Sequence, residues 1–239
     1  MRADPPPEKG VRYERAGPIV RAIGPDNCIV FSNLAGADAD AEIAEQVAFF
    51  RAAGAALEWK VYGHDLPADL GRRLCAAGFE PGEAETLMAS DLAEGLPAGP
   101  MPAGIEIRRV VDTAGLEDLL AVSGVAFGRN DGWKVELFGP RLGDPTLGLY
   151  VAYAGERPVS AARLELPPGR SFAALWGGGT LPGYRGRGIY RSLVATRARE
   201  ALRRRYRYLS ADARETSRPI LQRLGFVALT SVTSWKLRP

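Results

Sequence analysis

Histidine is almost missing from this chain: there is one, His64, among 239 residues, beside only two cysteines, Cys28 and Cys75. So few soft ligands, so far apart, give no zinc-type cluster, and no metal is assigned. The two cysteines lie in apolar contexts and read as reduced, buried thiols of a cytoplasmic protein. His64 falls in the loop Tyr62-Gly-His-Asp-Leu66 and reads as solvent-exposed rather than catalytic. No run reaches eighteen consecutive apolar residues, so no membrane-spanning helix is expected. Met1 to Pro18 is polar and proline-bearing, without the apolar centre of a signal peptide, and is expected as a disordered lead-in. Lysine is scarce beside arginine and the net charge is only +3. That balance suits a local basic patch for one anionic ligand better than a general nucleic-acid surface.

What the chain has in quantity is glycine, and the glycine gathers at one place. Ser171-Phe-Ala-Ala-Leu-Trp176 is an apolar segment of strand length. Gly177-Gly-Gly-Thr-Leu-Pro-Gly-Tyr-Arg-Gly-Arg-Gly188 follows, and then Ile189, Leu193, Val194, Ala198, Ala201 and Leu202 recur at helical spacing. The order is strand, glycine-rich turn, helix. Without a Cβ at Gly186 and Gly188, the amides of residues 186 to 190 can converge on an oxygen-rich group. The helix start adds its unpaired N–H groups and the positive end of its dipole, and Arg185 and Arg187 add full charges. These features make a phosphate or pyrophosphate site. It is not a Walker loop, because Gly188 is followed by Ile189 and Tyr190 rather than Lys and Ser or Thr. It is not a dinucleotide fingerprint either, because the third glycine is missing.

Around this centre the chain reads as two similar halves. In the first, residues 19 to 92, Cys28–Ser32 is a strand, Asp38–Ala53 an amphipathic helix, and Ala56–Tyr62 a strand. Pro67–Ala77 is a helix ended by Gly78, and Glu85–Asp91 a strand. Residues 93 to 104, rich in proline and glycine, read as the linker. In the second half, residues 105 to 239, Ile105–Val110 opens as a strand. Asp112 caps a helix to Phe127, with Leu116, Leu119, Leu120 and Val125 inward. Gly128–Gly148 is irregular, and Tyr150–Ala154 and Val159–Leu166 form a hairpin. After the glycine-rich turn and its helix come the strand Tyr206–Asp212, a short helix Ser217–Leu224, and two final strands in Val227–Leu237. Leu74-Cys-Ala-Ala-Gly-Phe79 matches Leu221-Gln-Arg-Leu-Gly-Phe226 in type and spacing, the mark of a repeat. The halves differ where the turn would be: the first has Ala35-Gly-Ala-Asp-Ala-Asp-Ala-Glu42, whose carboxylates would repel a pyrophosphate.

Pro182-Gly-Tyr-Arg-Gly-Arg-Gly-Ile189 resembles the acetyl-CoA pyrophosphate loop of the GNAT superfamily of N-acetyltransferases, departing from the family pattern at Gly183. The resemblance spans about residues 105 to 239. It implies an α/β fold with a mixed, mostly antiparallel sheet flanked by helices, here in tandem, the first lobe degenerate and without cofactor. It implies acetyl-CoA as co-substrate, direct transfer to an amine of a small molecule or peptide, and no nucleic-acid or membrane partner. By the resemblance, Gly179, Thr180 and Leu181 hold the thioester and pantetheine arm. Arg185, Gly186, Arg187, Gly188, Ile189 and Tyr190 hold the pyrophosphate, and Ser217 also lines the cofactor, against the simpler reading of Ser217 before Arg218-Pro219 as a helix N-cap.

The family tyrosine that protonates the departing thiolate falls at Leu221, so the usual acid is missing, and Arg214 stands where an asparagine is frequent. Replacements are Asp212 as base, against a capping or ion-pair role, and Tyr190 as acid, against packing on the sheet. Asp131, Trp133, Glu136 and Phe138, in the irregular stretch, are the candidates for binding a cationic acceptor. Arg191, Arg197, Arg199 and Arg203 to Arg205 read as a solvated helix face, with Arg191 close enough to reach a phosphate. The rival reading is a catalytically silent acyl-CoA-binding regulatory module.

Overall fold

The computed structural model describes residues 2–35, 38–97 and 99–239. Met1 of the expected lead-in, Gly36 and Ala37 of the acidic stretch and Ala98 of the expected linker lie outside the described residues. In chain order the strands and α-helices of the first half are β1 (Arg12–Ala16), β2 (Ile19–Ile23), β3 (Cys28–Ser32), α1 (Ala39–Ala52), β4 (Leu57–Tyr62), α2 (Leu70–Ala76) and β5 (Glu80–Asp91). Those of the second are β6 (Ile105–Arg109), α3 (Thr113–Phe127), α4 (Lys134–Phe138), β7 (Leu147–Ala154), β8 (Arg157–Glu165), β9 (Phe172–Thr180), α5 (Ile189–Arg203), β10 (Tyr208–Ala213), α6 (Arg218–Arg223) and β11 (Val227–Leu237). Two compact units result: residues up to Leu87 together with Leu229–Pro239, and Met88–Ala228.

In the first unit the strands run β1-β2-β3-β4-β11-β5. β1, β2 and β3 form an antiparallel meander, β3 and β4 are parallel, and β11 runs antiparallel to β4. Two expectations are corrected here. The stretch read as a disordered lead-in contains β1, which pairs from Arg12↔Ile23 to Ala16↔Ile19 across the turn at Gly17. An edge strand that is half exposed needs no apolar alternation, and ion pairs from Arg12 and Arg21 to Glu14 hold it instead. The C-terminal residues form one strand rather than two, and they belong to the first unit, with Val232↔Tyr62 through Leu237↔Leu57 in register. Thr230-Ser-Val-Thr-Ser234 reads like a turn by composition, yet its β-branched residues suit a strand.

The core of this unit gathers Ile43, Val47 and Phe50 from α1, Trp59 from β4, Leu74 from α2, Phe79 and Leu237. Cys75 is exposed, contrary to the expected buried thiol, because α2 turns Leu70 and Leu74 inward and the next position outward. Cys28 is partly buried, and burial, with Glu58 nearby, pushes its thiol up to about 12.

In the second unit the order is β10-β9-β8-β7-β6, with the end of β5 beside β10. β6, β7, β8 and β9 pair antiparallel in succession, whereas β9 and β10 are parallel. One face is covered by α5 and α6, through Ile189, Leu193, Val194, Ala198 and Leu221. The other is covered by α3 and α4, through Leu116, Leu119, Leu120 and Phe138. Asp112 caps α3 by accepting from the Gly115 amide at 2.9 Å. Val125 is exposed rather than inward: at five positions beyond Leu120 it lies on the far side of the helix, and Val122 and Ser123 fill the inner face.

The repeated hexapeptide is one structural device used twice. Phe79 N donates to Leu74 O and Phe226 N to Leu221 O, each at 3.0 Å, around Gly78 (φ 93°) and Gly225 (φ 83°). This is the Schellman end of α2 and of α6, with leucine and phenylalanine buried beneath it each time. Among the described residues no helix is long and apolar enough to cross a membrane.

Candidate active site

The geometry of the site begins with a displaced residue in β9. Ala161 pairs with Gly179, but Arg163 pairs with Trp176, so β9 carries one residue more than β8 between them. Gly177 takes up the extra residue at φ 55°, a conformation that side chains resist. The bulge turns β9 away from its parallel neighbour. Pairing with β10 ends at Ala211↔Leu175, and the last residues of β9 leave β10 alone. A splay opens there, bounded by the end of β9, the end of β10 and the first turn of α6.

Each side of the splay is closely packed. A Cβ at Gly178 would meet the Tyr190 ring at 2.8 Å, and one at Gly179 would meet Ala126 at 2.7 Å. The Leu181 amide donates to Val159 O at 2.9 Å, so it is committed to β8 and is not available to a thioester. By strand alternation the Thr180 amide turns to the opposite edge, toward the splay. The Thr180 side chain is held by Ser160 at 2.7 Å, and its carbonyl accepts from Arg185 Nε at 3.0 Å.

At the far end of β9 the chain turns through Pro182–Tyr184 into α5. Gly188 stands at the N-cap with φ 83° and no side-chain hydrogen bond. Among the described residues, the amides of residues 186–190 meet no backbone acceptor. Arg185 and Arg187 are exposed, and Arg187 lies over the Tyr184 ring at 5.1 Å. Arg191 Nη2 comes within 3.3 Å of where a Cβ at Gly188 would stand. Open amides, a helix start and three guanidinium groups form a cradle of the right chemistry for a pyrophosphate.

The corresponding place in the first unit is closed twice. Asp38 caps α1, accepting from the amides of Asp40 and Ala41 at 3.1 Å each. Between β3 and β4, Arg2 donates to Val30 O at 2.9 Å and Lys60 O at 3.4 Å while gripping Asp65 with two 2.7 Å bonds. The helix start that is open in one unit is filled by a carboxylate in the other. That contrast is stronger than the three acidic residues alone suggested.

The proposed chemistry residues separate by face. Ile189 is fully buried and anchors α5. Tyr190 points under Gly178 on the α5 side. Burial pushes its phenol up, opposed by the Arg197 charge and a hydrogen bond with Ser217. Ser217, the residue before α6, makes no capping hydrogen bond; its hydroxyl donates to Arg214 O at 3.2 Å and also meets Tyr190. Asp212 is half-buried at the end of β10, one residue beyond the last pair with β9. Alternation places it with Tyr208 and Ser210, on the face opposite Leu209, Ala211 and Ala213. Leu221 is fully buried in the α5–α6 core.

The four acceptor candidates are not brought together. Asp131 is buried and held by Ser123 at 2.6 Å, Lys134 at 2.9 Å and Arg129 at 2.9 Å. Burial pushes its carboxyl up, but Ser123, Lys134 and Arg129 outweigh that and hold it below the usual range. Phe138 is buried in the α3–α4 core, whereas Trp133 and Glu136 are exposed. Asp131 is therefore a structural ion-pair centre and not an open anion. Its partners at positions −2 and +3 were legible, but their closure over it was not.

Sequence reading also missed Arg197. It was placed with the solvated arginines and is instead 1% exposed. The signal was present: Leu193, Val194, Ala198 and Ala201 share its face of the helix.

Residues 116–226 match the family model described as Acetyltransferase (GNAT) family. No curated protein matches the chain. Among solved structures, a GCN5-related N-acetyltransferase from Kribbella flavida is similar at 18% identity and TM-score 0.73, covering 95% of this chain and 90% of that one. One from Sphaerobacter thermophilus is similar at 20% identity and TM-score 0.61, covering 83% and 67%. A tandem GNAT protein from the clavulanic acid biosynthesis pathway is similar at 15% identity and TM-score 0.64, covering 96% and 83%. At these identities the likenesses establish the shared fold.

Proposed function

Residues 116–226 form a domain of the acetyltransferase (GNAT) family, which makes the chain an acyltransferase, and from that premise we propose that it moves an acetyl group from acetyl-CoA directly to an amine of a small molecule or peptide in the cytoplasm. The observation that carries the reading is the uncapped start of α5 at the end of a bulged, splayed β9. Arg185, Gly186, Arg187, Gly188 and the amides of Ile189 and Tyr190 take the pyrophosphate. The Thr180 amide, facing the splay, takes the thioester carbonyl.

The two faces of the splay divide the proton transfers. The acceptor enters from the α3–α4 face, where Asp212 stands. As its nitrogen forms the C–N bond and the C–S bond breaks, its surplus proton passes to Asp212. The thiolate leaves on the α5 face and takes a proton from the Tyr190 phenol, which is replenished through Ser217. A phenol that burial keeps protonated suits that donor role. The exposed Cys75 thiol suits a reducing compartment.

A second reading is favoured by Leu221, which leaves α6 without the family acid: an acyl-CoA-binding module that transfers nothing. Calorimetry with acetyl-CoA and continuous detection of free CoA thiol across an amine panel separate the two. Binding with thiol release supports transfer, whereas binding without release on any amine supports the silent module.

A further inference from the structure

We propose that Arg197, from the interior of α5, is a positioning residue for acyl transfer: its guanidinium ties down the bulge of β9 and seats the Tyr190 phenol beside the departing sulfur. This rests on the transferase reading above.

The need for an explanation is energetic. Arg197 is 1% exposed, and among the described residues no carboxylate pairs with it. A buried guanidinium without an anion costs several kcal/mol, and a leucine or methionine would fill the same space without that penalty. Burial lowers the group to about 10, so it remains a cation at neutral pH.

Its hydrogen bonds show what the charge is used for. Nη1 donates to Arg163 O at 2.9 Å and to Trp176 O at 3.5 Å, and Nε donates to Leu193 O on its own helix at 3.1 Å. Arg163 and Trp176 are the paired residues on one side of the register shift that makes the bulge. One planar group therefore joins α5 to both strands at the point where β9 turns away from β10. Its Nη2 is buried and, among the described residues, makes no hydrogen bond; it lies 3.5 Å from where a Cβ at Gly178 would stand, and the Tyr190 ring lies 2.8 Å from the same point. The titratable groups facing Arg197 are the phenols of Tyr190 and Tyr150. The charge facing Tyr190 is Arg197, and from the start of α6 the non-titrating Ser217 hydroxyl meets it. The guanidinium and the Tyr190 ring thus meet at Gly178, close enough for the charge to act on the phenol.

The test compares Arg197→Met, which keeps the volume and loses charge and fork, with Arg197→Lys, which keeps charge and loses the fork. Steady-state kinetics with one accepted amine should show kcat lowered by at least about tenfold in both, with the KM for acetyl-CoA held within about twofold, because the pyrophosphate cradle lies two turns away. The alkaline limb of kcat should move to higher pH in Arg197→Met, since losing a cation disfavours the phenolate, and should stay in place in Arg197→Lys. An unchanged kcat, or a limb that moves in neither or in both variants, overturns the proposal. If Arg197→Met does not fold, the lysine variant decides by the same two readouts. If the wild type transfers to no amine, that failure belongs to the transferase reading. Ultraviolet titration of the phenol, with Tyr190→Phe subtracted, then decides for Arg197. A Tyr190 ionisation that moves upward in Arg197→Met supports the seating, and an unmoved one overturns it.

Discussion

Replacing Gly188 by aspartate puts a carboxylate at the N-cap of α5, beside the open amides of the proposed anion site. Gly188 holds φ 83°, a conformation that aspartate adopts at a cost of about 1 kcal/mol. The new Cβ is tight against Arg191 Nη2 at 3.3 Å, the end of a flexible side chain that can give way, and in ordinary contact with Pro102 Cγ at 3.6 Å. The fold should therefore survive, with Tm lowered by only about 2–4 °C. Ligand binding fares differently. Two pyrophosphate charges at about 6 Å from a new carboxylate, at an effective dielectric of about 20, repel it by roughly 5.5 kcal/mol in total. Pairing of the aspartate with Arg191 offsets about 1 kcal/mol of that, as for a partly exposed ion pair. About 4.5 kcal/mol remains, on the order of a thousandfold or slightly more in Kd. Calorimetry with acetyl-CoA at two salt concentrations tests this, and the loss should shrink at high salt. An aspartate variant with wild-type Tm and wild-type Kd would refute the placement of the pyrophosphate.

Other outcomes follow from the same geometry. Titration should give one acetyl-CoA per chain, because Asp38 closes α1 and Arg2 bridges β3 and β4; a stoichiometry of two would sink the reading of the first unit. Asp212→Asn should lower kcat/KM by roughly 10²–10⁴-fold with acetyl-CoA affinity retained, and a variant with full activity from pH 6 to 9 would remove Asp212 as base. Asp131 has its folded-state carboxyl depressed by Ser123, Lys134 and Arg129, so its stabilisation is present above the ordinary carboxylate range and lost as pH falls through the depressed value. Acid unfolding of Asp131→Asn should accordingly lose stability at neutral pH and depend less on pH below about 4. An unchanged acid transition would show that the three partners do not hold a carboxylate there.

The sequence was most informative where one residue type serves one local need. Glycines at a turn, a carboxylate before a helix and leucine with phenylalanine around a helix end all act within a few positions, and each was legible. Asp112 and the paired hexapeptides behave as read, and Gly188 takes the left-handed backbone at the turn into α5. What escaped was decided by partners far along the chain. β1 is stabilised by pairing with β2, not by its own apolar content. β11 belongs with β4, about 170 positions earlier, and no local pattern carries that. The acceptor candidates failed for a related reason. Charge and ring type suggested a pocket, whereas burial turned Asp131 and Phe138 inward and left Trp133 and Glu136 outside.

Arg197 shows how such a miss arises and what it reveals. A run of arginines on a helix is usually solvated, because the cost of burying a charge exceeds what packing returns. Periodicity pointed the other way, since position 197 shares its face with Leu193, Val194 and Ala201, all fully buried. When residue type and position disagree, position is fixed by the helix geometry, so the side chain must be buried and something there must compensate it. Among the described residues the compensation is three backbone carbonyls, those of Arg163 and Trp176 at the bulge and of Leu193 on the same helix, and not a carboxylate. A carboxylate would have neutralised the guanidinium and held it as a structural pair. Neutral partners leave its field directed at Tyr190, at the edge of the splay where a thiolate would have to be protonated. The same substitution logic separates the two units: α1 ends its amides on Asp38, whereas α5 leaves its first amides without a side-chain cap and keeps its nearest charges positive, the arrangement on which the proposed anion site rests.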